Sequence, residues 1–140
     1  RPAKGAAWAL ETFACTADPG KASIEHPTRR DGTAVIALGQ HRGAFTFGRH
    51  KGTYECLVPT KPIPCHRYTS AADYAAGRGR ESTSNAIQIH RASSKRTSTV
   101  VGPWSTACVV LAAPGSLVRL LDLGREQERA GRLTGRPVSE

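Results

Sequence analysis

The sequence predicts a mainly β domain that contains one or two short helices. Short apolar or β-branched runs recur between about residues 30 and 112, and glycine, proline or aspartate bounds many of them, which is typical of strands joined by turns. A leucine-rich helical stretch follows only near the carboxyl end. Because 140 residues correspond to one ordinary domain, we expect a single domain over residues 1–140 with its core at about residues 10–123.

The first strands are predicted as two hairpins. Residues 34–38 form a short apolar run after Asp31-Gly32, and residues 44–47 follow closely after another glycine, so the two runs are expected to pair. Residues 54–58 and 65–68 are predicted as the next antiparallel pair. The prolines between them favour a turn.

A polar loop and two further strands are expected next. Residues 69–85 are rich in glycine, serine and arginine, and offer at most one or two helical turns at residues 71–76. Brief apolar or β-branched runs predict strands at residues 86–89 and 108–111, with a basic loop between them. The polar loop is expected to lie near the functional site.

The carboxyl end is predicted as a short helix followed by a tail. Leucine and valine residues suggest a helix from about Gly115 to Leu123. Residues 124–140 are charged and rich in glycine, so we expect them to be frayed.

The four cysteines, at positions 15, 56, 65 and 108, lack the close Cys-x-x-Cys spacing of zinc sites. No metal site is therefore expected. Cys56 and Cys65 flank the proline-rich segment, which would let them face each other across the predicted hairpin at a separation compatible with a disulfide. Whether this disulfide forms stays open; its formation would indicate an oxidising compartment.

The charge balance favours anionic partners. The 20 Lys and Arg residues against 11 Asp and Glu residues give a net charge of +9, which suits nucleic acid, acidic polymers or cell wall. No membrane span is expected, because Pro103 and Ser105 interrupt the apolar region at residues 100–114. The chain begins at Arg1 and contains no methionine, which predicts a trimmed protein, a mature secreted form or a domain cut from a longer chain.

The most informative pair of residues is a histidine and a cysteine. His90 precedes Cys108 by eighteen residues. A cysteine attacks as its thiolate, and a nearby imidazole that takes the thiol proton makes it reactive near neutral pH. The pair therefore predicts an enzyme that transfers acyl groups through a cysteine.

The residues around this pair resemble a known family. Fourteen residues separate His90 from the segment Ser105-Thr106-Ala107-Cys108. This arrangement resembles the active-site signature of the YkuD-type L,D-transpeptidases, in which a histidine precedes a Ser/Thr-His-Gly-Cys turn by a similar interval. The resemblance covers roughly residues 30–112, and small phage and bacterial relatives look similar in the segments at residues 39–45, 48–54, 87–92 and 104–105.

The resemblance implies a compact mixed β-sandwich or barrel that acts on peptidoglycan stem peptides without a cofactor. Such a protein is expected to be secreted, periplasmic or associated with the cell wall. A toxin role would add an immunity or carrier protein as a partner. The acyl acceptor, whether water, an amino acid or a second stem peptide, stays open.

This chain departs from the family signature at three positions. Thr106 stands in place of the usual histidine, Ala107 in place of the usual glycine, and Val110 in place of an arginine often found two residues after the cysteine. Because valine cannot bind a substrate carboxylate, Arg67 or Arg91 would have to do so. These changes predict either altered substrate use or lost catalysis.

The resemblance also assigns roles. Cys108 is expected to be the nucleophile, and His90 the base that later protonates the leaving amine. Backbone N–H groups of Ala107 and Cys108 would form the oxyanion hole. Ser105 would orient the histidine or the turn. The expected substrate-binding residues are His50, Tyr54, Arg67, Arg91 and Trp104.

Two other classes of function remain open. A small basic protein with five histidines is also typical of a secreted nuclease that cleaves RNA. In such an enzyme Cys108 would be dispensable, and the nuclease activity would fall steeply with added salt. The altered turn before Cys108 suits a cell-wall-binding module that has lost catalysis. Nucleic acid is expected as a partner only if the protein is a nuclease or a nucleic-acid-binding module.

Overall fold

A computed structural model describes residues 9–134 of the chain. These residues form a mixed α/β fold that is mostly β-sheet. The strands are β1 Cys15–Thr16, β2 Thr33–Ile36, β3 Phe45–His50, β4 Tyr54–Pro59, β5 Ile63–Tyr68, β6 Arg80–Ser84, β7 Ile89–Arg91 and β8 Val109–Leu111. The helices are α1 Lys21–Glu25, α2 Ala71–Ala75 and α3 Pro114–Thr134, and a short 3-10 turn spans Gly102–Trp104.

One sheet has five strands in the order β1-β8-β7-β4-β3. Strands β7 and β8 run parallel, and each of the other neighbouring pairs is antiparallel. Leu57 of β4 lies opposite Ile89 of β7, and Ile89 lies opposite Val109 of β8. On one face of this sheet, Leu111 packs with Leu117 and Leu121 of α3.

The second sheet has three antiparallel strands in the order β2-β5-β6. A separate core of small and branched side chains lies on it, formed by Ala34, Ala44, Ile63, Cys65 and Ile87. The mainly β prediction is thus confirmed as a β-rich mixed fold, and the described part contains two open sheets rather than a closed barrel.

The predicted strand pairings are wrong, although most of the strands exist. Strand β2 pairs with β5 and not with the run at residues 44–47, which begins β3 and pairs with β4. The hairpin turn is at Lys51-Gly52, where both residues have positive φ, 47° and 71°. Apolar runs show that strands form but leave the partner of each strand undetermined.

Strand β6 was missed, because the segment at residues 69–85 was predicted as a loop with a helical turn. The helical turn is present as α2, whose first turn is capped by the Ser70 side chain, which accepts a hydrogen bond from the Asp73 N–H. The Arg-Glu-Ser-Thr-Ser sequence of β6 contains no apolar residue. It is a strand because its backbone pairs with β5, which is a tertiary effect that local composition does not report.

The Cys56–Cys65 disulfide that the sequence left open is absent. Both residues are buried free thiols. Cys56 lies opposite Gly48 in the five-stranded sheet, whereas Cys65 lies opposite Ile36 and Ser82 in the other sheet. The proline-rich segment between β4 and β5 therefore carries the chain from one sheet to the next and does not close a hairpin.

Helix α3 is much longer than predicted, since it continues past Leu123 to Thr134. Gly124 lets it approach the sheet closely: a Cβ there would lie 3.0 Å from Cζ of Phe47. Arg125 adds ion pairs to Glu55 of β4 and to Asp122. The predicted tail is therefore helix over residues 124–134, and residues 135–140 lie outside the described part. No helix in the described part is long and apolar enough to span a membrane.

Candidate active site

The pairing of β7 with β8 brings the predicted base and nucleophile to one face of the five-stranded sheet. His90 lies directly opposite Val110, so Cys108, two residues earlier, points to the same face as His90. Val109 N–H donates to the Gln88 carbonyl at 2.9 Å, which sets Cys108 beside Gln88.

His90 is held in one orientation by its neighbour's backbone. The ring is 2 % exposed, and its Nδ1 lies 2.9 Å from the Arg91 carbonyl oxygen. Because a carbonyl only accepts, Nδ1 donates, and the neutral ring carries its lone pair on Nε2. The Tyr54 hydroxyl donates to the same carbonyl at 3.3 Å. Burial is the main reason that the pKa of His90 is lowered, which favours the neutral ring that a base requires.

Cys108 is partly buried just before β8, with Sγ 3.6 Å from the Ala86 carbonyl oxygen. Burial raises the pKa of the Cys108 thiol, and a backbone hydrogen bond from Gln88 and the positive charge of Lys51 oppose this increase. With the pKa of His90 lowered and that of Cys108 raised, both groups are neutral at neutral pH. The two groups are thus a neutral thiol and a neutral imidazole, and not a preformed thiolate–imidazolium pair.

The turn before Cys108 is fixed by hydrogen bonds to its carbonyl groups. Ser105 is 2 % exposed, and its hydroxyl donates to the Cys108 carbonyl at 2.8 Å. The Thr33 hydroxyl donates to the Thr106 carbonyl at 2.9 Å. Of the two roles predicted for Ser105, the structure supports orientation of the turn, since its hydroxyl contacts the turn and not His90.

Gly20 also binds this turn, and sequence reasoning missed it. Its N–H donates to the Ser105 carbonyl at 2.8 Å. A Cβ on Gly20 would lie 1.9 Å from the Gly102 carbonyl oxygen, so only glycine fits between these two backbones. No local signal in the sequence distinguishes this glycine from the others.

Alanine is compatible with the backbone at position 107. Among the described residues, Lys51 is the only non-glycine residue with positive φ. Ala107 therefore adopts its place in the turn without the strain that a left-handed conformation would impose on a residue with a Cβ. The backbone at position 107 therefore accommodates alanine as well as glycine.

A small cleft of about 100 Å³ borders Cys108. Its lining includes Thr33, Ala34, Ala86, Ala107 and, from the three-stranded sheet, Arg67. The Arg67 guanidinium is buried, donates from Nη1 to the Gly32 carbonyl at 3.0 Å and forms an ion pair with Asp31 at 3.2 Å.

Of the two arginines predicted to bind a substrate carboxylate, Arg67 lies at this cleft and Arg91 does not. The Arg91 guanidinium instead stacks over the Tyr54 ring, 3.8 Å from the ring centroid.

His50 and Gln88 complete the sheet face around His90. The His50 ring stacks on the His90 ring, with centroids 4.2 Å apart, and its Nδ1 lies 2.7 Å from Gln88 Oε1. The Cys56 thiol lies 3.9 Å from the same oxygen. Gln88 was not predicted as a site residue. Its position two residues before His90 in a β-type alternation was the signal that it shares the face.

Trp104 does not share the Cys108 cleft. It is 40 % exposed and lines a different cavity of about 300 Å³, together with Cys15, Thr16, Val100 and Val110. Its prediction as a substrate-binding residue therefore lacks support from the cleft geometry.

Residues 9–134 contain no group of three or more His, Cys, Asp or Glu side chains arranged to hold a metal ion. Comparison of the chain with protein-family models, curated proteins and solved structures finds no match.

Proposed function

We propose that this protein is a cysteine-dependent acyl-transfer enzyme that acts on peptidoglycan stem peptides, with L,D-transpeptidase, L,D-carboxypeptidase or exchange activity. The observation that carries the proposal is the placement of His90 and Cys108 on one sheet face, with His90 Nδ1 bound to the Arg91 carbonyl. This arrangement leaves Nε2 as the basic nitrogen. It supports the resemblance to the YkuD-type family, whose fold we propose for the chain.

Acylation begins with a proton transfer. The thiol proton of Cys108 moves to His90 Nε2 while Sγ forms a bond to a stem-peptide carbonyl carbon. Backbone N–H groups of Ala107 and Cys108 stabilise the resulting oxyanion, each contributing about 3 to 4 kcal/mol. The C–N bond then breaks, the leaving amine takes the proton from Nε2, and a thioester remains on Cys108.

Transfer to the acceptor reverses these steps. An amine or a water molecule attacks the thioester and gives its proton to Nε2, which returns it to the Cys108 thiolate as the acyl group leaves. Arg67 is the residue we propose for a donor carboxylate, because it lines the Cys108 cleft and can replace the arginine that Val110 does not supply. The substrate places the protein outside the cytoplasm, at the cell wall or in the periplasm.

The proposal is tested by intact-mass analysis of wild type and Cys108→Ala after incubation with purified peptidoglycan, with the released stem peptides analysed in parallel. We expect changed stem peptides with wild type and none with Cys108→Ala. Cys15→Ala is the matched control, because Cys15 is an exposed thiol outside the Cys108 cleft, and it should retain activity. Absence of change with wild type over a range of acceptor amines would overturn the proposal and favour an RNA-cleavage assay.

A further inference from the structure

Arg29 lies on the wall of the cleft that borders Cys108. It belongs to the segment between α1 and β2, and it lines this cleft together with Arg67 of β5 and Cys108 itself. The cleft is about 100 Å³, well below the roughly 300 to 1,000 Å³ of ordinary small-molecule pockets. Because the cleft is this small, a group that Arg29 holds there lies close to a group that reaches the Cys108 thiol.

The turn that carries Arg29 is fixed against β5. The Gly32 N–H donates to the Arg29 carbonyl at 3.0 Å, and the φ of Gly32 is 94°. A Cβ at position 32 would lie 2.4 Å from the Tyr68 carbonyl oxygen, so only glycine lets this turn pack so closely on the end of β5. The turn therefore holds Arg29 near the strand that supplies Arg67.

Asp31 links the two arginines. The Arg29 Nε donates to Asp31 Oδ1 at 2.9 Å, and the Arg67 Nε lies 3.2 Å from Asp31 Oδ2. Each oxygen of one carboxylate thus contacts a different guanidinium. The hydrogen bond from Arg29 is the main reason that the pKa of Asp31 is lowered, and the Arg67 charge lowers it further. Asp31 is therefore ionised at neutral pH.

This network has a positive charge and hydrogen-bond donors to spare. Two guanidinium groups share one carboxylate, so one positive charge within the network is not balanced. Arg67 is buried and donates to the Gly32 carbonyl as well as contacting Asp31. The Arg29 side chain is 67 % exposed, and among residues 9–134 only the Nε of its guanidinium has a hydrogen-bond partner. Its two terminal nitrogens can therefore bind both oxygens of a carboxylate.

We propose that Arg29 is a specificity-determining residue that binds a carboxylate of the acyl donor at the exposed end of the Cys108 cleft. This inference rests on the proposed function, which supplies the acyl donor. Arg29 adds donors that Arg67, already bound to Asp31 and Gly32, has in use. The negative charge of Asp31 opposes the incoming carboxylate and so limits how tightly an anion binds.

Alkylation of Cys108 with two reagents of different charge tests the inference. Iodoacetate is an anion and iodoacetamide is neutral, so the ratio of their rates at Cys108 reports attraction of a carboxylate towards the sulfur. Arg29→Gln is compared with Arg42→Gln in a Cys15→Ser background, and mass spectrometry measures modification of Cys108. Arg42 is a matched control, because it is exposed, donates from Nε to Gln40 at 3.1 Å and does not line the cleft.

We expect Arg29→Gln to lower the iodoacetate-to-iodoacetamide ratio about three- to tenfold at low salt, and added salt to reduce the difference. Arg42→Gln should leave the ratio unchanged, and Arg29→Lys, which keeps the charge, should recover part of it. An unchanged ratio in Arg29→Gln, or an equal decrease in Arg42→Gln, overturns the inference even if Cys108 transfers stem peptides. A decrease confined to Arg29→Gln, without any stem-peptide turnover, supports the carboxylate site and overturns only the proposed function.

Asp31→Asn gives a second test with the opposite sign. Removal of the shared negative charge should raise the iodoacetate-to-iodoacetamide ratio, because both guanidinium groups are then free to attract the reagent. Arg29→Gln tests the inference even if Asp31→Asn does not fold, since Arg29 is exposed. A ratio that falls in folded Asp31→Asn would contradict the competition between Asp31 and the donor carboxylate.

Discussion

At His90, one backbone carbonyl decides which ring nitrogen can act as a base. The Arg91 carbonyl accepts from Nδ1 at 2.9 Å, and Tyr54 donates to the same oxygen at 3.3 Å. In the proposed mechanism His90 is the base, whereas Tyr54 helps to orient it, since its hydroxyl lies 3.3 Å from the Arg91 carbonyl oxygen and 3.4 Å from His90 Nδ1. Substitution of His90 should therefore lower stem-peptide turnover more than substitution of Tyr54.

We predict that His90→Asn lowers stem-peptide turnover by about 10²- to 10⁴-fold, because general base catalysis is lost. Tyr54→Phe should lower it by no more than about tenfold, since one neutral hydrogen bond is worth about 0.5 to 1.5 kcal/mol. Steady-state assays on purified stem peptides measure both variants. Equal losses in the two variants would contradict the separate roles assigned to them.

In the proposed mechanism, Ser105 positions the nucleophile through the backbone. Its hydroxyl donates to the Cys108 carbonyl at 2.8 Å and is 2 % exposed. Ser105→Ala should reduce the free energy of unfolding by about 1 to 3 kcal/mol, because a buried acceptor loses its partner, and it should also slow alkylation of Cys108. Chemical denaturation and alkylation kinetics check the two effects. Ser105→Thr, which keeps the hydroxyl, should recover part of each.

At the scale of elements, the sequence predicted strands better than their partners. Residues 34–38 and 54–58 are apolar and alternate with turn signals, so β2 and β4 were found. The choice of β5 over β3 as the partner of β2 depends on contacts between distant segments, which no local pattern reports.

The same limit applies to the site. His90 and Cys108 were found because their chemistry and spacing are visible in the sequence. Gly20 and Gln88 instead belong to the site through geometry: a close backbone approach and a shared sheet face. Of these two, only Gln88 had a signal in the sequence, in the alternation around His90.

The link between the segment before α1 and the turn before Cys108 depends on Gly20. We predict that Gly20→Ala lowers the free energy of unfolding by about 2 kcal/mol or more, because the new Cβ would overlap the Gly102 carbonyl. Gly115→Ala is the matched control, since a Cβ there meets no atom within 4 Å, and alanine should stabilise the helix by up to about 1 kcal/mol. Denaturation curves of both variants measure the difference, and similar losses would contradict the role of Gly20.

At the scale of the whole molecule, both sheets hold a buried free thiol. Cys56 is fully buried in the five-stranded sheet and Cys65 is 2 % exposed in the other, whereas Cys15 is exposed and Cys108 is partly buried. Thiol titration of the native protein should therefore modify Cys15 and Cys108, and modify Cys56 and Cys65 only after unfolding. Intact mass without reductant should match four reduced thiols; a mass lower by two hydrogens, with the disulfide mapped to Cys56 and Cys65 by peptide analysis, would contradict their separation.

Stability should decrease on both sides of neutral pH, because burial shifts the pKa values of several groups. Burial lowers the pKa of His90, so the unfolded chain binds its proton more readily, and stability falls as pH drops below the ordinary pKa of histidine. Burial raises the pKa values of Cys56, Cys65 and Cys108. The unfolded chain loses those protons first, so stability also falls as pH rises past the ordinary pKa of a thiol.

Urea denaturation across this pH range, with reductant present, measures the two slopes. His90→Asn should flatten the acid side near the ordinary pKa of histidine and leave the alkaline side unchanged, because asparagine does not titrate. Cys56→Ala or Cys65→Ala should each flatten part of the alkaline side, although each also leaves a small cavity that lowers stability at every pH. The cavity lowers the free energy of unfolding equally at every pH, whereas the loss of a titrating group changes its slope with pH, so the profile distinguishes the two effects. An acid limb that keeps its slope in His90→Asn would therefore show that the buried histidine does not cause it.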